Sequence, residues 1–211
     1  MQLSNSEARM SVTPITITNV WIEQEVEKGS SAPQRATLST VSMHGLQAVP
    51  HSRIVALREV TEEGLLFFTS TKTRKYAELK ETPNASMVIW LAQQQRQVVV
   101  EGETVELSED ERLYYWQALT KERQLKIASY IPHSNDKVSE EVDLEKNYQR
   151  LSEEYEHKAS LPLSEFYVGF RLIPNKFHFY TLPEEGFSQV QEYTLDTTNP
   201  SQWLKADINP C

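Results

Sequence analysis

Cysteine is nearly absent from this chain: among 211 residues there is only Cys211, at the last position. No intramolecular disulfide can form, which fits a reducing cytoplasm. Glycine is scarce as well, with 6 residues, and no Gly-x-Gly-x-x-Gly, Walker or Gly-x-Ser-x-Gly sequence occurs. The usual sequence evidence for several enzyme classes is therefore missing. The 5 histidines are scattered and no His-x₃₋₅-His or Cys-x₂-Cys spacing occurs, so no metal site is expected. No apolar run approaches the roughly 18 residues of a membrane span. The stretch Met1-Gln2-Leu3-Ser4-Asn5-Ser6-Glu7 has neither the basic nor the apolar region of a secretory signal. The expected setting is the cytoplasm, away from any membrane.

Acidic residues dominate, giving a formal net charge of -9. That balance argues against general nucleic-acid binding, which needs a basic face, but it leaves room for one local basic pocket. Hydrophobic residues at 39% and charged residues at 24% are those of an ordinary globular protein. The length suggests one domain with terminal extensions: a polar arm over 1–14, a domain over 15–196 and a tail over 197–211.

The pattern along the chain is mainly β with a few helices. Thr18-Asn19 offers caps for a short helix from Val20 to Lys28, closed by Gly29. Strands are expected at Ala36–Val41, Ala48–Glu59 and Leu65–Thr69, the last two joined by a turn at Glu62-Glu63-Gly64. A helix over Thr73–Glu81 precedes strands at Ala85–Ala92 and Gln95–Leu107. Ser108 with Glu111 forms a capping-box pair, predicting a helix from Glu109 to about Lys121, with an extension towards Ser129. A second helix is expected over 138–157, with Leu144, Tyr148, Leu151 and Tyr155 on one face and acids on the others as a solvated surface. Strands resume at Glu165–Ile173, Lys176–Leu182 and Phe187–Leu195, with turns at Pro174-Asn175 and Pro183–Gly186. Several antiparallel strands with few helices point to a small β-barrel with helical additions.

Within this acidic chain the stretch from Arg53 to Gln97 gathers Arg53, Arg58, Lys72, Arg74 and Lys75 beside β-forming runs. Arg74 and Lys75 open a helix, where free N–H groups and the dipole favour an anion. Thr69 and Thr73 can add hydroxyl donors. An arginine fork with a lysine point charge suits a phosphate dianion. The residues alone equally allow a surface of solvated charges.

The order of the pieces goes further. Ala36–Val41, Ser52-Arg53-Ile54-Val55-Ala56-Leu57-Arg58, Phe67-Phe68-Thr69-Ser70, Thr73-Arg74-Lys75, Pro83-Asn84 and Arg96-Gln97-Val98 together resemble the pyridoxine (pyridoxamine) 5′-phosphate oxidase family. The run Leu161-Pro162-Leu163 through Gly169–Pro174 to Phe177-His178-Phe179-Tyr180 is similar to the same family's C-terminal region. The resemblance spans roughly Arg35 to Tyr180. It implies an antiparallel, Greek-key split β-barrel with peripheral helices, forming a homodimer with FMN at the subunit interface. It places the phosphate region on Arg53, Arg74 and Lys75, assisted by Thr69 and Thr73. It runs the flavin along the backbone of Ile54, Val55 and Ala56, and assigns Gln97 to the flavin or its ribityl chain. Phe68 stands where the family often has tyrosine, Phe179 where tryptophan is usual, and His133-Ser134 near a Gln-Ser pair contributed across the dimer.

On the substrate side the resemblance implies roles for Arg58, Tyr115 and Arg123, but with departures. Arg58 replaces a lysine, Leu119 replaces an arginine in a Tyr-x-x-x-Arg pattern, and Arg123 falls where a serine is usual. Thr181–Phe187 contains neither arginine nor histidine where the family carries Arg-x-His-x-Arg. The expected activity is oxidation of a small amine or alcohol by FMN, with reoxidation by dioxygen and without a side-chain nucleophile. The alternatives are a true pyridoxamine 5′-phosphate oxidase and a non-catalytic flavin- or haem-binding barrel.

Overall fold

The computed structural model describes residues 12–134, 137, 143–183, 185–200 and 202–210. Eight strands form one antiparallel sheet: β1 (Arg35–His44), β2 (Gln47–Thr61), β3 (Gly64–Ser70), β4 (Asn84–Leu91), β5 (Arg96–Glu106), β6 (Tyr167–Thr181), β7 (Gln189–Leu195) and β8 (Trp203–Ile208). Their order is β3-β2-β1-β4-β5-β6-β7-β8, and β3 also pairs with β6. β1 to β6 therefore close into a ring, with β7 and β8 as an extension. The stretch β3-β2-β1-β4 has the Greek-key order.

Strand chemistry follows from what each face meets. Leu65 and Phe67 point into the barrel core with Leu38, Met87, Ile89, Val98, Val100 and Phe170. Leu66 and Phe68 point the other way, into the layer beneath the helices. A strand buried on both faces reads as an unbroken apolar run rather than an alternation, which is why Leu65-Leu66-Phe67-Phe68 looks as it does.

The turn expected at Pro174-Asn175 is instead a bulge within the single long strand β6. Glu101 pairs with Lys176 and the adjacent Gly102 with Pro174, so Asn175 is the extra residue. The offset changes the strand's parity. Val168, Phe170 and Leu172 face the core before it, and Phe177 and Phe179 face the core after it. The bulge demands glycine opposite: a Cβ on Gly102 would lie 2.0 Å from the Ile173 carbonyl oxygen.

The helices depart from expectation in bounds more than in kind. α1 (Pro14–Glu27) starts earlier than Val20, capped by the Thr13 side chain with proline in its first turn. Its β-branched opening run disfavours a helix locally, but Ile15, Thr18 and Ile22 are buried along one face. α2 (Arg74–Glu81) lies where expected. The long helix after Ser108 is two helices, α3 (Glu109–Gln117) and α4 (Lys121–Tyr130), with Thr120 capping the second. A single 3-10 turn, Ile131–His133, follows. α5 (Leu144–Glu154) is capped by Asp143; residues 138–142 of the expected helix lie outside the described set. Tyr148, Leu151 and Tyr155 pack inward as expected, while Leu144 is exposed.

The region expected as a tail carries β8, which pairs with β7, and Trp203 meets Phe177 edge-on at 5.3 Å. Of the expected arm, residues 1–11 lie outside the described set. Among the described residues no helix is long and apolar enough to cross a membrane.

Candidate functional site

A cleft of about 440 Å³ opens between β2, β3 and the α4 region, within the size range of small-molecule sites. Strand alternation puts Ala56 and Arg58 on one face of β2, and both line the cleft with Phe68, Thr69, Thr73 and Lys75. α4 and the turn after it supply Arg123, Ile127, Tyr130, Ile131 and Ser134, and Leu119 enters from the α3–α4 junction. Ser70 Oγ donates to the Ile131 carbonyl at 3.1 Å, tying β3 to that turn.

The donor set is uniform in sign. Arg58, Lys75 and Arg123 bring positive charge, and Thr69, Thr73, Ser70 and Ser134 bring hydroxyls; none of the described lining residues is acidic. Lys75 Nζ donates to Thr69 Oγ1 at 3.1 Å, and the Thr69 and Thr73 hydroxyls lie 3.1 Å apart. Burial, and then the neighbouring Arg53 guanidinium, hold the Lys75 ammonium below the usual lysine range, against the pull of Glu78. The opposite wall is aromatic. Phe68 stacks on Tyr167 at 4.8 Å with the rings 4° from parallel. Burial raises the Tyr167 hydroxyl pKa, opposed by the charges of Arg58 and Arg123. Cations and hydroxyls beside an apolar, aromatic wall suit a phosphorylated ligand with a planar ring system.

Phe68 can lie flat because its partner across the ladder is Gly169. A Cβ there would come within 2.8 Å of Phe68 Cε1 and of Leu107 Cδ1. Gly169→Ala is expected to cost about 1–3 kcal/mol through overpacking and to turn the Phe68 ring. Thermal unfolding and near-ultraviolet circular dichroism check this; a Tm within about 1 °C of the parent and an unchanged spectrum would refute it.

Other expected site residues stand elsewhere. Arg53 lies on the opposite face of β2 from Arg58, with Val55, whose side chain is buried in the core. Its Nη2 lies 3.0 Å from Glu78 Oε2. Arg74 is 60% exposed, with Nε 3.3 Å from Glu78 Oε1. Ile54 is 69% exposed on the outer surface. Tyr115 is buried behind Phe68, its ring 5.5 Å away, and its hydroxyl donates to Glu59 Oε2 at 2.8 Å. Burial, then Glu59, raises its pKa. Tyr115 is therefore absent from the lining of the cleft in this chain. His133 ends the 3-10 turn beside Ser134. Gln97 sits on β5 opposite Tyr180, outside the lining.

Phe179 also stands apart from the cleft. It is 2% exposed in the barrel core, edge-on to Trp21 at 5.2 Å and to Tyr193 at 5.5 Å. Past the bulge, strand alternation turns Tyr180 rather than Phe179 to the face opposite the core. The sequence reading did not single out Glu78, Ile127, Tyr130 or Tyr167. Ile127, Tyr130 and Ile131 have the i, i+3, i+4 spacing of one helical face, a signal that was legible.

Comparison with known proteins agrees with this architecture. Residues 22–151 match the family described as pyridoxamine 5′-phosphate oxidase. A pyridoxine/pyridoxamine 5′-phosphate oxidase of Microcystis aeruginosa is 30% identical over 82% of this chain and 78% of its own length. The enzyme of that name from Alteromonas mediterranea is 30% identical over 98% of this chain and 94% of its own. In fold the chain is similar to PhzG from Burkholderia lata, with a TM-score of 0.82 and 22% identity over 99% of this chain and 98% of that one. It is also similar in fold to a pyridoxamine 5′-phosphate oxidase-related, FMN-binding protein of Nostoc punctiforme, with a TM-score of 0.72 and 18% identity over 95% of this chain and 100% of that one. The ring of strands, the cleft and the match over most of the chain lead to one assignment: the chain belongs to the pyridoxamine 5′-phosphate oxidase family.

Proposed function

We propose that the protein binds FMN in this cleft as a homodimer and oxidises a small amine or alcohol. The observation that carries the reading is the cleft itself: Lys75, Thr69 and Thr73 gathered at one end, an aromatic wall, and no acidic residue among the described lining, in a chain of net charge -9. Lys75, with the first turn of α2, holds the phosphate. Phe68 and Tyr167 close the wall behind the ligand and exclude water. Bound FMN would supply the redox chemistry, as hydride acceptor for the substrate carbon with dioxygen as final electron acceptor. Arg58 and Arg123 remain for the substrate, which on this reading carries an acidic group. Gln97, with His133 of the turn after α4, meets the cofactor held by a second copy.

Saturating FMN at about 100 times its dissociation constant is expected to add about 2.7 kcal/mol of stability, a rise in Tm of about 5–10 °C for a chain of this size. The purified protein is expected to be yellow and to elute as a dimer. A colourless protein whose Tm ignores FMN would overturn the reading, and a monomer that binds FMN tightly would overturn its dimeric part.

A second reading is a true pyridoxine/pyridoxamine 5′-phosphate oxidase, favoured by the names of the curated relatives. Against it, Thr181–Phe187 offers no cation to a substrate phosphate and includes Glu184 and Glu185. Formation of pyridoxal 5′-phosphate and hydrogen peroxide from pyridoxamine 5′-phosphate by the FMN-loaded protein decides between the two.

A further inference from the structure

Glu78 lies outside the lining of the cleft, yet its carboxylate gathers the basic residues beside it. Its side chain is 3% exposed. Oε2 accepts from Arg53 Nη2 at 3.0 Å and from the Thr40 hydroxyl. Oε1 accepts from Ser42 Oγ at 2.9 Å, with His51 Nδ1 at 2.7 Å and Arg74 Nε at 3.3 Å. Thr40 in turn accepts from Arg53 Nη1. A buried carboxylate costs several kcal/mol to desolvate and persists only with such partners. Burial pushes the Glu78 carboxyl up, but the hydrogen bonds from Thr40, Ser42 and Arg53 outweigh it and leave it below the usual range. One turn earlier on the same helix, Lys75 faces Arg53 from β2 and Thr69 from β3. Arg53 and Lys75 repel, and Glu78 offsets that repulsion.

We propose that Glu78 is the positioning residue of the anion site. It grips Arg53 and Arg74 and holds the Arg53 guanidinium beside the Lys75 ammonium, so that the corner meets a phosphate monoester with fixed geometry. Lys75 lines the cleft while Arg53 and Arg74 stand behind it on Glu78, and the three cations less one carboxylate leave a positive balance suited to a monoester of charge about −1.5 to −2 at pH 7. Without the carboxylate the cations repel and disperse. This inference rests on the FMN reading above.

The test titrates FMN into wild-type protein and Glu78→Gln, following flavin fluorescence from about pH 6 to pH 10. Glu78→Gln is expected to weaken binding about tenfold at neutral pH, as loss of charge-assisted contacts should. Its second signature is the alkaline fall in affinity. Glu78 raises the proton affinity of Lys75, so the fall moves to lower pH in the variant. Glu78→Asp is expected to restore the wild-type alkaline midpoint. A folded Glu78→Gln with affinity within twofold of wild type and an unmoved midpoint would overturn the inference. Should Glu78→Gln not fold, Ser42→Ala removes one hydrogen bond from the carboxylate but keeps its charge; affinity is expected to fall with the midpoint unmoved, and a wild-type affinity there would overturn the inference. Wild-type protein that ignores FMN would overturn this inference together with the cofactor reading. Wild-type binding with an indifferent Glu78 variant would overturn this inference alone.

Discussion

Lys75→Met is expected to weaken FMN binding about 100-fold. The substitution keeps the length and apolar stem of the side chain and removes only the ammonium, so the fold should survive. The lost contact is a charge-assisted one in a partly buried corner, worth about 1.5–3 kcal/mol, and each 1.4 kcal/mol is about tenfold in affinity. Burial and Arg53 already hold this ammonium below the usual lysine range. The sign of the pH effect follows. The phosphate is held by the charged form, which is lost as pH rises through the lowered pKa, so wild-type affinity is expected to fall on the alkaline side before an ordinary lysine would titrate. Lys75→Arg keeps a charge that does not titrate in this range and is expected to abolish that fall. Fluorescence titration of FMN measures both effects. A change under threefold in Lys75→Met would mean that the phosphate is held elsewhere.

Trp116→Ala is expected to lower stability by about 3–5 kcal/mol, as large-to-small changes at buried aromatic positions do, and Tm by about 10 °C. The ring is fully buried behind the cleft, 5.1 Å from Tyr167. Its indole N–H donates to the Leu161 carbonyl at 2.8 Å. Gln124, itself 0% exposed, donates to the Trp116 carbonyl and accepts from the Leu161 N–H. One residue therefore joins α3, α4 and the segment leading into β6. The variant is expected to lose FMN affinity as well, since Tyr167 loses its support. Trp116→Phe keeps most of the volume and is expected to cost less. Thermal unfolding by circular dichroism measures the loss; a drop under about 2 °C would show that this layer is held without the indole.

The parts of the fold that follow local rules were legible. Strand alternation, the turn at Gly64 and the Ser108–Glu111 cap placed β1 to β5 and the start of α3 within a few residues. Departures arose where tertiary burial overrode local preference. Ile15-Thr16-Ile17-Thr18 is a poor helix former that becomes one because Ile15, Thr18 and Ile22 meet the barrel. β8 is too short and too exposed to declare itself, and exists because β7 offers it an edge. In the candidate site, the cleft residues from β2, β3 and α2 were readable as a family pattern. The separation of Arg53 from Arg58 required the alternation of β2 to be followed to its consequence. The role of Glu78 was hidden, because an acid in a short charged helix reads as solvated surface until the position of β1 is known.

The extra residue in β6 sets the phase of everything after it. Strand β5 is read by β6 in two frames, one before Asn175 and one after, and the change of frame sends Phe177 and Phe179 inward and Tyr180 outward. Removing one residue between Ile173 and Lys176 would invert the second frame, exposing two phenylalanines and burying their polar neighbours. At this point the protein depends on the count of residues more than on their identity. It should accept many side chains at Asn175 and no change in the length of the chain around it.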